Sequence, residues 1–196
     1  GIAGSTIANL LSKKYSVHVF DKARGAGGRS SNKKLKGNLS FDHGVQYISQ
    51  KSKVFTKIIQ KLSKKKILKT WDGNHLDFTF EKKTLNPKYI GVKANNALCK
   101  YYLKNIKTSF SSQIVKIEHK KYFWEIKLDD NSKHQFKALI LTCPFPQLKK
   151  LAGRYLEKKV SNLKIQMQPN ITVMIALKNK KELPISSIKF DDNMLA

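Results

Sequence analysis

A chain of 196 residues with 40% hydrophobic side chains can bury one large core or two small ones, and no apolar run nears the ~20 residues that a membrane-spanning helix needs. Lys and Arg number 39 against 13 Asp and Glu, and the net charge of +26 invites a nucleic-acid reading. Three of these cations are Arg and the lysines spread along the whole chain, with Lys64-Lys65-Lys66 the longest run, so the charge fits a solvated surface and AT-rich coding better than base-reading contacts.

The chain opens on Gly1-Ile2-Ala3-Gly4, which fits the second and third glycines of a G-x-G-x-x-G turn. The second lets a backbone approach a pyrophosphate, and the third lets a helix pack closely on its neighbours. Ile2, Ala3, Ile7, Ala8, Leu10 and Leu11 supply the apolar residues of a helix of about three turns, whose N-terminal N–H groups could face phosphate oxygens. Val17 to Phe20 reads as a short buried strand ending in Asp21, which lies 20 residues after Gly1, near the spacing at which an acid meets an adenosine ribose hydroxyl. A G-x-x-G alone also fits a turn before an ordinary helix. The order of glycine turn, acidic strand and then Gly25-Ala26-Gly27-Gly28-Arg29 favours a nucleotide site, because those glycines allow close approach and Arg29 adds a fork of phosphate donors. Arg24 falls in the same loop.

Further on, Val54, Phe55, Ile58, Ile59 and Leu62 mark an amphipathic helix. Ile67 to Phe80, with Trp71, Leu76, Phe78 and Phe80 about the turn Asp72-Gly73-Asn74, suggests a hairpin. Ala97 to Leu103 suggests a helix. Ile114 to Glu118, Phe123 to Leu128 and His134 to Phe136 read as three antiparallel strands, with Asp129-Asp130-Asn131 as a turn. Ala138 to Thr142 reads as a buried parallel strand closed by Pro144 and Pro146, and Asn170 to Leu177 and Ile188 to Phe190 as later strands. Cys99 and Cys143 lack metal spacing and the five histidines are scattered, so no metal is expected; free thiols suit a reducing, cytoplasmic setting.

Asp21-Lys22-Ala23-Arg24-Gly25-Ala26-Gly27-Gly28-Arg29-Ser30 resembles the E-K-x-R-x-x-G-G-R stretch of FAD-dependent amine-oxidase-like flavoproteins. Phe41-Asp42-His43-Gly44-Val45-Gln46-Tyr47 resembles the F-D-H-G-A-Q-Y stretch of their renalase-like branch, Pro87-Lys88-Tyr89-Ile90-Gly91-Val92 its Y-V-G segment, and Leu141-Thr142-Cys143-Pro144-Phe145-Pro146-Gln147 its A-x-P-x-P-Q segment. After Gly91, relatives often carry Gly-Met, whereas this chain has Ala94-Asn95-Asn96.

The resemblance implies an α/β fold, a Rossmann-like FAD/NAD(P)-binding domain with an inserted antiparallel meander and part of a mixed substrate-binding sheet. Residues 1–50 and 104–152 are expected to form a discontinuous FAD-binding domain lacking its first strand, and 51–103 and 153–196 an incomplete substrate-side domain. The chain is expected to open inside its own glycine loop and, as it stands, to be inactive. The cofactor implied is FAD, contacted by Gly1, Gly4, Asp21, Lys22, Gly27, Gly28, Arg29, Gly44, Gln46, Ile114 and Thr142, with Val115 the neighbour of Ile114 near the adenine. Gln46 and Tyr47 would face the flavin or substrate, and His43 would fix its loop by a hydrogen bond. No acid–base catalyst stands out. The function implied is oxidation of a small amine or reduced-nicotinamide-like molecule by hydride transfer to flavin. An NAD-dependent Rossmann dehydrogenase and a basic, non-catalytic nucleic-acid-binding module remain the alternatives.

Overall fold

The computed structural model describes residues 1–37, 39–77, 87–178 and 184–189. In chain order its elements are α1 (Ile2–Leu11), β1 (His18–Phe20), a 3₁₀ turn (Gly28–Ser30), β2 (Lys33–Lys34), β3 (Ser40–Phe41), β4 (Ile48–Ser49), α2 (Lys53–Lys64), β5 (Leu68–Thr70), β6 (His75–Asp77) and β7 (Lys88–Gly91). There follow α3 (Ala97–Leu103), β8 (Lys107–Ser109), β9 (Ile114–His119), β10 (Trp124–Leu128), β11 (Lys133–Phe136), α4 (Phe145–Ala152), a 3₁₀ turn (Gly153–Tyr155), α5 (Lys158–Ser161) and β12 (Ser187–Lys189). The chain is α/β. It divides into two compact units, Gly1–Ser31 with Cys99–Ile171, and Asn32–Leu98 with Thr172–Ala196.

In the first unit, α1 buries its small residues Ser5 and Ala8 and leaves Ile7 and Leu10 at the surface. Small side chains let the helix come close to its support, and the Ser5 hydroxyl meets its own need by donating to the Ile2 carbonyl at 3.0 Å. β1 pairs in parallel with β8, Val19 opposite Thr108. This strand escapes the apolar pattern, since Lys107, Thr108 and Ser109 are all polar.

The three expected antiparallel strands are β9, β10 and β11, in the order β11-β10-β9. Period-two alternation puts Trp124, Ile126 and Leu128 on one face, and Ile126 lies opposite Ile117. Ile117, Ile126, Leu128 and Ala152 form a buried cluster against which Ile114, Leu148 and Leu151 pack, so α4 covers the meander. Asn131 closes the β10–β11 turn with a φ of 69°, a conformation that Asn tolerates better than most residues.

The run from Ala138 to Thr142 departs from expectation. It joins no ladder among the described residues, and Ile140 is exposed while Leu139 and Leu141 pack on the meander core. Its apolar character thus serves the face of another sheet.

In the second unit, β4, β7 and β5 form an antiparallel sheet in the order β4-β7-β5. The amphipathic helix is α2, which buries Ile59 and Leu62 fully; the Ser52 hydroxyl accepts from the Phe55 N–H at 3.2 Å and caps its start. The expected hairpin from Ile67 to Phe80 does not form among the described residues. β5 pairs with β7, and its edge continues when the Trp71 N–H donates to the Lys88 carbonyl at 2.8 Å. Gly73, at a φ of 130°, then redirects the chain so that β6 pairs in parallel with β12. Phe78 and Phe80 lie outside the described residues. Asn170 to Leu177 has no ladder among the described residues, and Ile171, Val173, Ile175 and Leu177 are exposed.

Candidate dinucleotide site

The first unit gathers the glycine turn, the acidic strand and the second glycine run. A side chain added at Gly28, whose φ is +55°, would place its Cβ 2.9 Å from the Gly1 Cα, and one added at Gly1 would meet the Gly27 carbonyl at 3.7 Å. Three glycines therefore form one backbone cradle that Cβ atoms would fill. Gly27 itself has a φ of 141°, outside the range of ordinary side-chain-bearing residues.

The first turn of α1 opens at this cradle. Its N-cap is Gly1, which offers no side-chain acceptor, so the first-turn N–H groups are left to an outside acceptor such as a phosphate oxygen. Gly4 has a different neighbour, since an added Cβ there would lie 2.8 Å from the Thr142 Oγ1. Thr142 is thereby placed against α1.

Asp21 ends β1 beside the same cradle, with its Oδ2 3.9 Å from the Gly1 nitrogen. Its Oδ1 accepts from the Ala23 N–H at 2.9 Å, which fixes the carboxylate and leaves Oδ2 turned to the glycines. The loop after β8 holds this corner: the Asp21 N–H donates to the Ser109 carbonyl at 2.9 Å, the Ser112 N–H to the Asp21 carbonyl at 3.1 Å, and the Ser111 N–H to the Ala23 carbonyl at 2.9 Å. No composition or spacing signal marks Ser109–Ser112 as the support of the acid.

Arg29 is exposed and forms no ion pair among the described residues, so its guanidinium is available to an anion. Ser30 behind it is buried, donates to the Gly27 carbonyl at 2.8 Å and lies 3.7 Å from the Cys99 sulfur. Lys22 is exposed at the same corner. Burial pushes the Cys143 thiol above its ordinary range, while its own backbone and nearby Lys22 pull the other way, so Cys143 stands as a neutral thiol. Ile114 starts β9 with its side chain against the meander core, and Val115 faces solvent.

In the second unit, Gly44 and Gln46 are exposed on the loop that follows β3. Asn95 organises that loop. It is 2% exposed; its side-chain nitrogen donates to the carbonyls of Val45 at 2.7 Å and Gln46 at 2.9 Å, and its oxygen accepts from the Gly91 N–H at 2.9 Å. The Asn95 N–H donates to Asp42 Oδ1 at 3.0 Å, and Asn32 donates to the same oxygen at 3.1 Å. The His43 carbonyl accepts from the Thr172 hydroxyl at 2.9 Å. The Ala94-Asn95-Asn96 stretch, a departure by resemblance, is thus what shapes the Phe41–Tyr47 loop.

Residues 1–62 match the NAD(P)-binding Rossmann-like domain family. Over 164 residues, 78% of this chain, the sequence is 28% identical to renalase of Mus musculus. By sequence the chain is similar to renalase. It spans 47% of that relative's length. Two solved structures align over 70% of this chain and 35% of their own: the tetracycline destructase Tet(51), at 12% identity and a TM-score of 0.43, and a putative FAD-containing monooxygenase from Photorhabdus luminescens, at 14% identity and a TM-score of 0.44. The match to the Rossmann-like domain family covers the segment that holds Gly1, Gly4, Asp21, Gly27, Gly28 and Arg29. Among the described residues no group of His, Cys, Asp and Glu could hold a metal ion, and no helix is long and apolar enough to cross a membrane.

Proposed function

We propose that the protein is an FAD-dependent oxidoreductase in which the first unit holds the adenosine diphosphate half of the cofactor and the second forms the substrate side. The carrying observation is the cradle of Gly1, Gly27 and Gly28 beside Asp21. It offers what a dinucleotide needs: backbone that can touch a pyrophosphate, a capless helix start, an exposed guanidinium and a carboxylate held for a ribose hydroxyl.

When bound, FAD supplies an acceptor for a hydride from a substrate C–H. The chain's own residues bind and orient. Gly1, Gly27 and Gly28 admit the phosphates, Gly4 lets α1 pack closely beside them, Arg29 and Lys22 balance their charge, and Asp21 takes the ribose hydroxyl. In the first unit Ile114 would present backbone to the adenine and Thr142 would meet the cofactor; in the second, Gly44 would meet the cofactor, and Gln46 and Tyr47 the flavin or substrate. The substrate class we assign is a small amine or a reduced-nicotinamide-like molecule. No side chain is assigned proton transfer.

The test is cofactor retention. Arg29→Ala removes a charge-assisted phosphate contact of ~1.5–3 kcal/mol, which corresponds to a loss of roughly ten- to a hundredfold in FAD affinity. Asp21→Ala should also weaken binding. Equal retention of FAD by the parent and both variants would remove the assignment, and purification with NAD(P) but no flavin would favour a nicotinamide-dependent enzyme.

A further inference from the structure

The second unit holds a half-buried cluster built from Tyr47, Trp71, His75, Lys88 and Ser187, on segments far apart in sequence. The Lys88 Nζ sits 4.6 Å from the centre of the Tyr47 ring and 6.0 Å from that of Trp71. The two rings are 6.1 Å apart, and the His75 ring meets Trp71 edge-on at 4.8 Å.

Hydrogen bonding fixes the polarity of this cluster. The His75 Nε2 is 2.8 Å from the Trp71 carbonyl, which can only accept, so that nitrogen carries a proton. In the neutral imidazole Nδ1 is then an acceptor, and the Ser187 hydroxyl, 2.8 Å away, must donate to it. Ser187 Oγ in turn accepts from the Lys88 ammonium at 3.2 Å. Every bond runs in one direction, from lysine to serine to histidine to carbonyl, and the ammonium is held at a set position.

That ammonium is partly desolvated, and no carboxylate pairs with it among the described residues. Burial pushes Lys88 below the usual lysine range, while the Tyr47 face and the serine oxygen favour the cation. A cation with N–H groups to spare, beside two aromatic faces, suits an organic anion. A single ammonium without a nest of backbone donors suits a carboxylate better than a phosphate, which is met more fully by Arg or by several N–H groups.

We propose that Lys88, Tyr47 and Trp71 form a recognition site for a small aromatic carboxylate, its charge on the lysine and its ring against the indole and phenol. This ligand lies beyond the substrate class proposed above, and its binding needs no flavin.

Trp71 and Trp124 are the two tryptophans, so a Trp124→Phe background isolates the fluorescence of Trp71. Benzoate should change that emission saturably, and uncharged benzamide should not. Lys88→Met should weaken benzoate binding about tenfold or more, Lys88→Arg should stay within about threefold of the parent, and Lys57→Met, at an exposed lysine of α2, should have no effect. Should Lys88→Met fail to fold, Ser187→Ala, which keeps the charge but frees its position, should weaken binding by about threefold or more. Undiminished binding to Lys88→Met or Ser187→Ala, equal binding of benzamide, or an equal loss in Lys57→Met would overturn the proposal. A parallel FAD titration separates the two readings: FAD binding without benzoate binding removes this site alone, and benzoate binding through Lys88 without FAD binding removes the cofactor assignment alone.

Discussion

Gly28, Gly37 and Gly91 separate two physical reasons for glycine. Gly37 has a φ of +72° with no atom within 4 Å of an added Cβ, so alanine there meets only backbone strain, of about 1–2 kcal/mol. Gly28 combines a φ of +55° with an approach of 2.9 Å to the Gly1 backbone. A Cβ at Gly91 would fall 1.8 Å from the Ala94 carbonyl, so the turn that places Asn95 would have to open. The stability loss in urea denaturation should rise from Gly37→Ala through Gly28→Ala to Gly91→Ala, and Gly28→Ala should also weaken dinucleotide binding where Gly37→Ala does not. An equal loss in all three would show that the close approaches do not matter. The motif glycines were legible because a nucleotide loop demands particular backbone shapes at particular spacings. Asn95 was not, since its role lies in contacts with Asp42, Val45, Gln46 and Gly91 that no local pattern encodes.

At the scale of elements, α2 and the meander could be read from periodicity, because each has one apolar face toward a core, whereas α1 turns its small Ser5 and Ala8 inward and leaves Ile7 and Leu10 outside. β8 could not: its polar residues earn strand structure from the backbone of β1 beside them. The apparent hairpin around Gly73 misled for a related reason, since each of its arms has a more distant partner, β7 for β5 and β12 for β6. The run from Ala138 to Thr142 shows that unbroken apolarity fits a cover for another sheet as well as a buried strand. The meander itself offers a clean test. Ile126 is 1% exposed in the cluster under α4, whereas Val115 on the adjacent strand is 48% exposed. Ile126→Ala should cost ~2–4 kcal/mol, and Val115→Ala within ~0.5 kcal/mol, by chemical denaturation. Comparable losses at both sites would mean that the cluster is not the core of this unit.

For the whole molecule the dominant quantity is charge. With 39 basic and 13 acidic residues, most cations have no acid to pair with. Glu118 accepts from Lys116 at 2.6 Å and from Lys120 at 2.9 Å, and those two hydrogen bonds hold its carboxyl down to about 2. Self-repulsion of this size should be relieved by salt, since the screening length shrinks to ~8 Å at physiological ionic strength. Raising sodium chloride from about 0.02 M to about 0.3 M should therefore raise the Tm. Binding to duplex DNA should be weak, independent of sequence and lost near physiological salt. A sequence-specific complex that survives there would restore the reading of a basic binding module. Composition showed the charge in full, but not which lysines matter: Lys88 differs from the others in its surroundings, Tyr47, Trp71 and Ser187, which tertiary pairing alone brings to it.

The stretch from Leu163 to Leu177, which has no ladder among the described residues, gives the abundant lysines a further use. A protease that cuts after lysine could by sequence alone cleave almost anywhere. To be cut, however, a peptide bond must lie extended in the enzyme's cleft, and bonds held in helices or sheets do so only after local opening. Lys164 is exposed within that stretch, while Lys116, Lys127 and Lys133 belong to the meander. Brief digestion with trypsin should cut after Lys164 before it cuts inside residues 114–136, and mass spectrometry of the first fragments would show the order. The lysines, so uninformative as a composition, become evenly spaced reporters of which parts of the backbone are secured.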